Sequence, residues 1–185
     1  MRLLPRPLTG VSLALCLASP VLTTAHTTDP KQADPKAAAK AEGDALEFKA
    51  CGPRDKEAKF AANTDKQSHP TPQLPADAAI VYVLRPTMIG QKIQTTLAVD
   101  ADWKGVNRGN NYFFFTLPPG EHAFCSKAEN RSVMSLTVEA GKTYYLQQHI
   151  EMGFVKARTS LDQMTEAEAL KKLPGLHLST WTIKK

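Results

Sequence analysis

From residue 78 onward the chain alternates apolar and polar residues with a period of two, the signature of half-buried strands. The first run, AAIVYVLRP, is apolar on both faces, with Ile80, Tyr82 and Leu84 on one side and Val81 and Val83 on the other. That pattern predicts a central strand bounded by Pro75 and Pro86. TTLAVDADWKGV reads as strand, turn, strand, with Asp100 and Asp102 flanking the turn and Trp103 opening the return. NNYFFFTL follows after the NRGN loop and ends at Pro118-Pro119-Gly120. Gly120 suits a turn position of positive φ. Within that strand Tyr112 and Phe114 share one face, and Phe113 and Phe115 share the other. The four aromatics therefore cannot form one stacking platform, and Phe114→Asp is expected to unfold the domain. EHAFCSKA, SVMSLTVEA, KTYYLQQHIEM and VKARTSLDQM continue the alternation.

The period then changes. TEAEALKKL places Thr165 as an N-cap with Glu168 at N3, a capping box, and Pro174-Gly175 stops the helix. LHLSTWTIKK reads as a short terminal strand or an extended tail. Seven to eight short strands with turns between them and one short C-terminal helix predict a mainly β fold, an antiparallel β-sandwich, over residues 79–185.

The first 78 residues read differently. Residues 1–25 form a signal peptide, with Arg2 and Arg6 before a short apolar segment and Thr23-Thr24-Ala25 as the cleavage site. Cleavage after Ala18 and an uncleaved N-terminal anchor are the alternatives. The apolar run is too short to span a membrane, which takes about 20 residues. Cys16 follows Leu15, a poor lipid-attachment box, so a lipid anchor is not expected. Residues 26–50, rich in Ala, Lys, Asp and Pro, read as a flexible linker. AAAKAEGDALEFKA has the composition of a transient helix, weakened by Gly43. Residues 51–78, with Pro53, Pro70, Pro72 and Pro75, read as an extended arm.

Composition narrows the function. The formal charge is +5, from 23 bases and 18 acids. Loss of Arg2 and Arg6 leaves 21 bases against the same 18 acids, a net of +3 scattered along the chain, so no nucleic-acid partner is expected. Cleavage also removes Cys16 and leaves two thiols in an oxidising compartment, which predicts a Cys51–Cys125 disulfide.

The motifs of common enzymes are missing. No G-x-S-x-G, P-loop or G-x-G-x-x-G occurs. No two of His26, His69, His122, His149 and His177 are spaced two or four apart, so neither a metal nor another cofactor is expected. Asp100 and Asp102 fit turn formation better than Ca²⁺ binding or carboxylate catalysis. A ligand surface is sought first at Trp103 with Asn107, Arg108, Asn110 and Asn111, whose indole, guanidinium and amides suit a sugar or a peptide. The competing reading gives the asparagines left-handed turn conformations and packs Trp103 on the sheet. Glu129-Asn130-Arg131 is a second place, where Arg131 could meet an anion.

IVYVLRPT (80–87), the VD-turn-WKGV hairpin (99–106), NYFFFTLPPGEH (111–122), VEAGKTYYL (138–146) and MGF (152–154) together resemble a bacterial family of exported proteins, domain of unknown function 2846. The resemblance covers Cys51 to Trp181 and implies a small β-sandwich linked to the envelope. It brings no established activity and no catalytic residues. Many members look like lipoproteins, from which Leu15 departs. A looser similarity is to transthyretin-like and PEGA-like sandwich modules. The expectation is a non-enzymatic, exported binding or structural module, whose partner is an envelope protein or glycan. A carbohydrate- or peptidoglycan-binding domain is one alternative. A small periplasmic hydrolase using His122 or His149 with an acid is another.

Overall fold

A computed structural model of the chain describes residues 35–152 and 157–184. The expected signal peptide, both cleavage positions, Cys16 and His26 lie outside the described residues. Ten strands form two sheets that face each other. The larger sheet has the order β1 (Phe60–Asp65), β10 (His177–Ile183), β5 (Asn111–Leu117), β2 (Ala79–Arg85), β8 (Thr143–Met152), β9 (Ala157–Met164). The smaller has the order β4 (Asp102–Asn107), β3 (Thr95–Val99), β6 (Gly120–Lys127), β7 (Arg131–Val138).

The alternation read from the sequence sorts the residues as expected. Val81, Val83, Phe113 and Leu146 of the large sheet meet Leu97, Val99, Phe124 and Val138 of the small one to fill the core. β2 is central, paired with β5 on one side and β8 on the other. The small sheet is wholly antiparallel, whereas the large sheet is mixed, because β2 with β8 and β10 with β5 run parallel. That departs from a purely antiparallel sandwich. The expected terminal strand is β10, and it lies inside the large sheet. Its Trp181 packs edge-on against Phe113 at 5.2 Å and fills the space a side chain at Gly105 would take.

Two N-terminal expectations change. Part of the extended arm is β1, which pairs with β10 along its whole length. The described part of the expected flexible linker is a helix, α1 (Pro35–Cys51). It runs through Gly43 and ends on Gly52, whose φ of +65° and N–H bond to the Phe48 carbonyl (2.9 Å) close it. Composition alone misses this because only the last turns are anchored. Leu46, Ala50 and Cys51 pack on Ala98, Ala123, Cys125 and Val133 of the small sheet's outer face. The Cys51–Cys125 disulfide fixes that contact. The second helix, α2 (Glu166–Lys172), carries the expected capping box, with the Glu168 N–H donating to Thr165 Oγ1 and the Thr165 N–H to the Glu168 carboxylate.

Two carboxylates couple this frame to pH. Burial opposes ionisation of Glu57, but Lys127 and Arg131 outweigh it and hold its pKa below the usual range. Asp100 is likewise lowered, against the effect of burial, by the Ala123 N–H (2.9 Å) and the His122 ring (2.6 Å). A lowered folded pKa gives stability that is full above the unfolded carboxylate range, about pH 4, and is lost as pH falls through the folded values. The melting temperature is therefore expected to hold from neutrality to about pH 5 and to fall steeply below about pH 4. Asp100→Asn should flatten that acid limb. A melting temperature independent of pH over this range would contradict the assignment.

Candidate functional site

The outer face of the large sheet carries the aromatic residues that the core does not use. Tyr82 on β2, Tyr112 on β5 and Tyr145 on β8 come from three adjacent strands and lie side by side. The Tyr82 ring is stacked 5.4 Å from Tyr145 and 6.3 Å from Tyr112, with Phe114 tilted against it at 5.3 Å. With Ile80 these tyrosines floor a cleft of about 590 Å³. Leu170, Leu173 and Pro174 close one side, and the His69–Pro72 stretch with Leu74 closes another. Leu74 (41% exposed) and Leu170 (53%) leave apolar surface at the rim.

The lining of this cleft carries no described carboxylate, although Glu166, just outside it, accepts a hydrogen bond from the Tyr145 hydroxyl. Apart from His69, its lining has no ionisable group besides the three phenols. Burial pushes all three phenols above their ordinary pKa, so they are neutral hydroxyls at physiological pH. Thr71 and Thr143 add two hydroxyls. Flat apolar rings with scattered hydroxyl donors suit stacking and neutral hydrogen bonds, and offer nothing to a multiply charged ligand. The sequence groups Tyr82 with Ile80 and Tyr112 with Phe114 by face, without saying which face is the outer one. Their convergence was hidden because β5, β2 and β8 are neighbours in space and not in order.

The residues first singled out by sequence are divided by the fold. Arg108, Asn110 and Asn111 line a second cleft of about 360 Å³, at the strand ends. Asn110 takes φ +62°, the left-handed turn conformation, and its amide donates to the Gly175 carbonyl at 3.0 Å. Asn111 is buried and donates to Thr64 Oγ1 at 2.9 Å. Asn107 is brought elsewhere. It sits between the sheets, where its amide donates to the Val83 carbonyl and to Gln148 Oε1, both at 3.1 Å. Gln148 in turn donates to Ser126, which bonds Thr159, so Asn107 belongs to a polar seam joining the sheets. Trp103 packs on the edge of the α1 contact and beside Phe60, Ala62 and Val106, away from both clefts. Arg131 of the other candidate loop is nearly buried and paired with Glu57 and Glu47.

The histidines considered for hydrolysis do find acids. His149 lies 3.1 Å from Asp162, and His122 lies 2.6 Å from Asp100. The second ring nitrogen of His122 is held by the Pro118 carbonyl at 2.9 Å, and none of these four residues lines either cleft. Asp102, the other turn aspartate, pairs with Lys104 at 2.6 Å. Among the described residues, no group of three His, Cys, Asp or Glu side chains is placed to hold a metal. No described helix is long and apolar enough to cross a membrane.

Comparison with known proteins agrees with this architecture's family resemblance and adds no activity. Residues 75–160 match the model of the family described as "Protein of unknown function (DUF2846)". The match covers β2 to β8 and the start of β9, and leaves out α1, β1 and β10, a shorter extent than Cys51 to Trp181. An uncharacterized protein of Haemophilus influenzae is 26% identical over 100 residues. That alignment covers 54% of this chain and 60% of the relative. No solved structure matches the chain significantly. Over residues 75–160, somewhat less than half of its length, this chain is therefore similar to the DUF2846 family.

Proposed function

We propose that this is an exported, non-enzymatic binding module of the bacterial cell envelope, and that the tyrosine-floored cleft is its ligand site. The carrying observation is the convergence of Tyr82, Tyr112 and Tyr145 under a partly open apolar rim. Export is supported by the signal-like first 25 residues and by a Cys51–Cys125 disulfide suited to an oxidising compartment. A binding role is supported by a lining that offers contact surface and neutral donors but no carboxylate. Hydrolysis by a pair of carboxylates needs both acids at the ligand.

The ligand class that best matches is a neutral glycan segment. Sugar rings present one apolar face to an aromatic ring and hydroxyls around their edge, and this cleft supplies partners for both. Purified protein should co-sediment with peptidoglycan sacculi, and neutral oligosaccharides should change its tyrosine emission saturably. Tyr82, the half-buried member of the three, is the residue to remove. Tyr82→Ala is expected to weaken binding about tenfold or more, taking an aromatic stacking contact at about 1.5 kcal/mol. Leu170→Glu at the rim should weaken it in a fold left intact. Binding unchanged in both variants would overturn the assignment to this cleft. Absence of binding to sacculi and oligosaccharides alike would overturn the glycan reading.

A further inference from the structure

The second cleft has the opposite chemistry. Its walls are the 86–92 loop, the 108–111 turn, the end of β1 and the start of β10. Lys66, Lys92 and Arg108 line it with His177, and no Asp or Glu does. None of these cations is in an ion pair with a described carboxylate, and Asp65, next in sequence to Lys66, spends its carboxylate on the Gln67 and Ser68 amides. Two nitrogens in the wall, Arg108 Nε and His177 Nδ1, are buried without a hydrogen-bond partner among the described residues. Buried donors are normally paired, so the wall is polar surface built without an internal counterpart.

Behind the 86–92 loop stands one more cation. Arg85 is fully buried and forms no ion pair with a described residue. Its guanidinium donates to the carbonyls of Ile93, Ile89 and Gly90, which shapes the loop. Burial lowers its pKa to about 10, which leaves it charged at neutrality. Arg85 is the strand partner of Asn111, and its carbonyl accepts the Asn110 N–H at 2.9 Å, so its backbone adjoins the cleft wall, and its guanidinium stands behind the loop that forms that wall. The wall is also tightly built. A Cβ at Gly109 would come within 2.6 Å of the Thr87 carbonyl oxygen and 2.8 Å of Gln91 Cα.

We propose that this cleft binds phosphate esters. Three lining cations and a fourth behind the loop converge with no acid in the wall, which a single carboxylate would leave undercompensated. A phosphomonoester carries a charge of about −1.5 to −2 and three acceptor oxygens, a closer match. Arg108 supplies the fork that reads such a group, Lys66 and Lys92 supply point charges, and Gln91 and Thr64 supply neutral partners. A cleft of about 360 Å³ takes a small ester or a headgroup, not a polymer.

The test is calorimetric titration of the purified protein at low ionic strength with inorganic phosphate, glycerol 3-phosphate and, as a neutral control, glycerol. Saturable binding of the two phosphates is expected, with none for glycerol and a shift of the His177 ring resonances. Arg108→Gln should weaken binding about tenfold and Lys92→Gln by less, both with unchanged melting. Lys92 lies at the rim and keeps the test open if Arg108→Gln does not fold. Flotation with vesicles containing phosphatidic acid, whose headgroup is a phosphomonoester, against phosphatidylcholine alone, separates the sources. Capture by the former assigns a lipid headgroup, and binding of soluble esters alone assigns a free metabolite. No saturable phosphate binding, or equal binding in Lys92→Gln and wild type, would overturn the proposal. So would attraction in which chloride competes as well as phosphate.

Discussion

Replacing Phe113 by alanine is expected to destabilise the domain by about 4 kcal/mol and to lower its melting temperature by roughly 10 °C. Phe113 is 1% exposed and stands in the middle of β5. It packs among Val81, Val83, Leu97 and Phe124, and its ring meets Trp181 edge-on and Phe115 in a stack at 6.2 Å. Rigid strands surround it on both sheets, so the space left by a methyl group has little chance to close. Phe113→Asp would add an unpaired buried charge and should leave no folded protein. The sequence reading gave that role to Phe114. Phe114 is only half-buried, on the outer face beside Tyr82, so Phe114→Ala should cost less than half as much. Equal losses in Phe113→Ala and Phe114→Ala, measured by urea unfolding, would contradict this division of the two faces.

How far the fold is legible in the sequence follows from the range of each interaction. Which residues share a face of their own strand is local, and alternation alone groups Val81 with Val83 and Tyr82 with Ile80 and Leu84. The Thr165–Glu168 capping box is local too, and it forms as read. Which strands become neighbours is not local. Nothing in IVYVLRPT or KTYYL states that β2 and β8 pair in parallel, yet that pairing brings Tyr82 and Tyr145 together. The aromatic cleft is therefore invisible in the sequence, which pairs Tyr112 with Phe114 on one face but does not say that this face is the outer one. α1 reads from sequence only as a transient helix for a related reason. Its composition promises little burial, and its support comes from Ala98, Ala123 and Val133, residues far along the chain. The NRGNN stretch shows the limit most plainly. Asn107 ends β4 and points between the sheets, while Asn111 begins β5 across the loop, so asparagines four residues apart serve two separate places.

Removing the Cys51–Cys125 disulfide is the other change with a large expected effect. The two cysteines are 74 residues apart, and a loop of that length restricts the unfolded chain enough to contribute about 4 kcal/mol in the chain-entropy account. The paired variant Cys51→Ser, Cys125→Ser should therefore melt roughly 10 °C lower than the oxidised protein. The loss should also have a local signature. Only the last turns of α1 touch the sandwich, through Leu46, Ala50 and Cys51, while residues 36–45 are exposed. Three side chains are a small area to hold a helix of 17 residues without a covalent tie. Limited proteolysis of the serine variant should cut first within Pro35–Cys51, under conditions where β2 to β9 stay protected. The Arg131 bonds to Glu47 and to the Gly52 carbonyl (3.2 and 3.3 Å), the Ala101 N–H bond to the Ala50 carbonyl (3.1 Å) and the Leu46 and Ala50 contacts would then have to carry the docking. If the serine variant melted lower but kept α1 protected, the bond would act through the unfolded chain only. If α1 were lost with no change in melting, the bond would tether the helix and contribute nothing to the sandwich. The expectation here is both effects together, because Cys125 lies on the interior strand β6, so the helix is pinned to the centre of the small sheet and not to its edge.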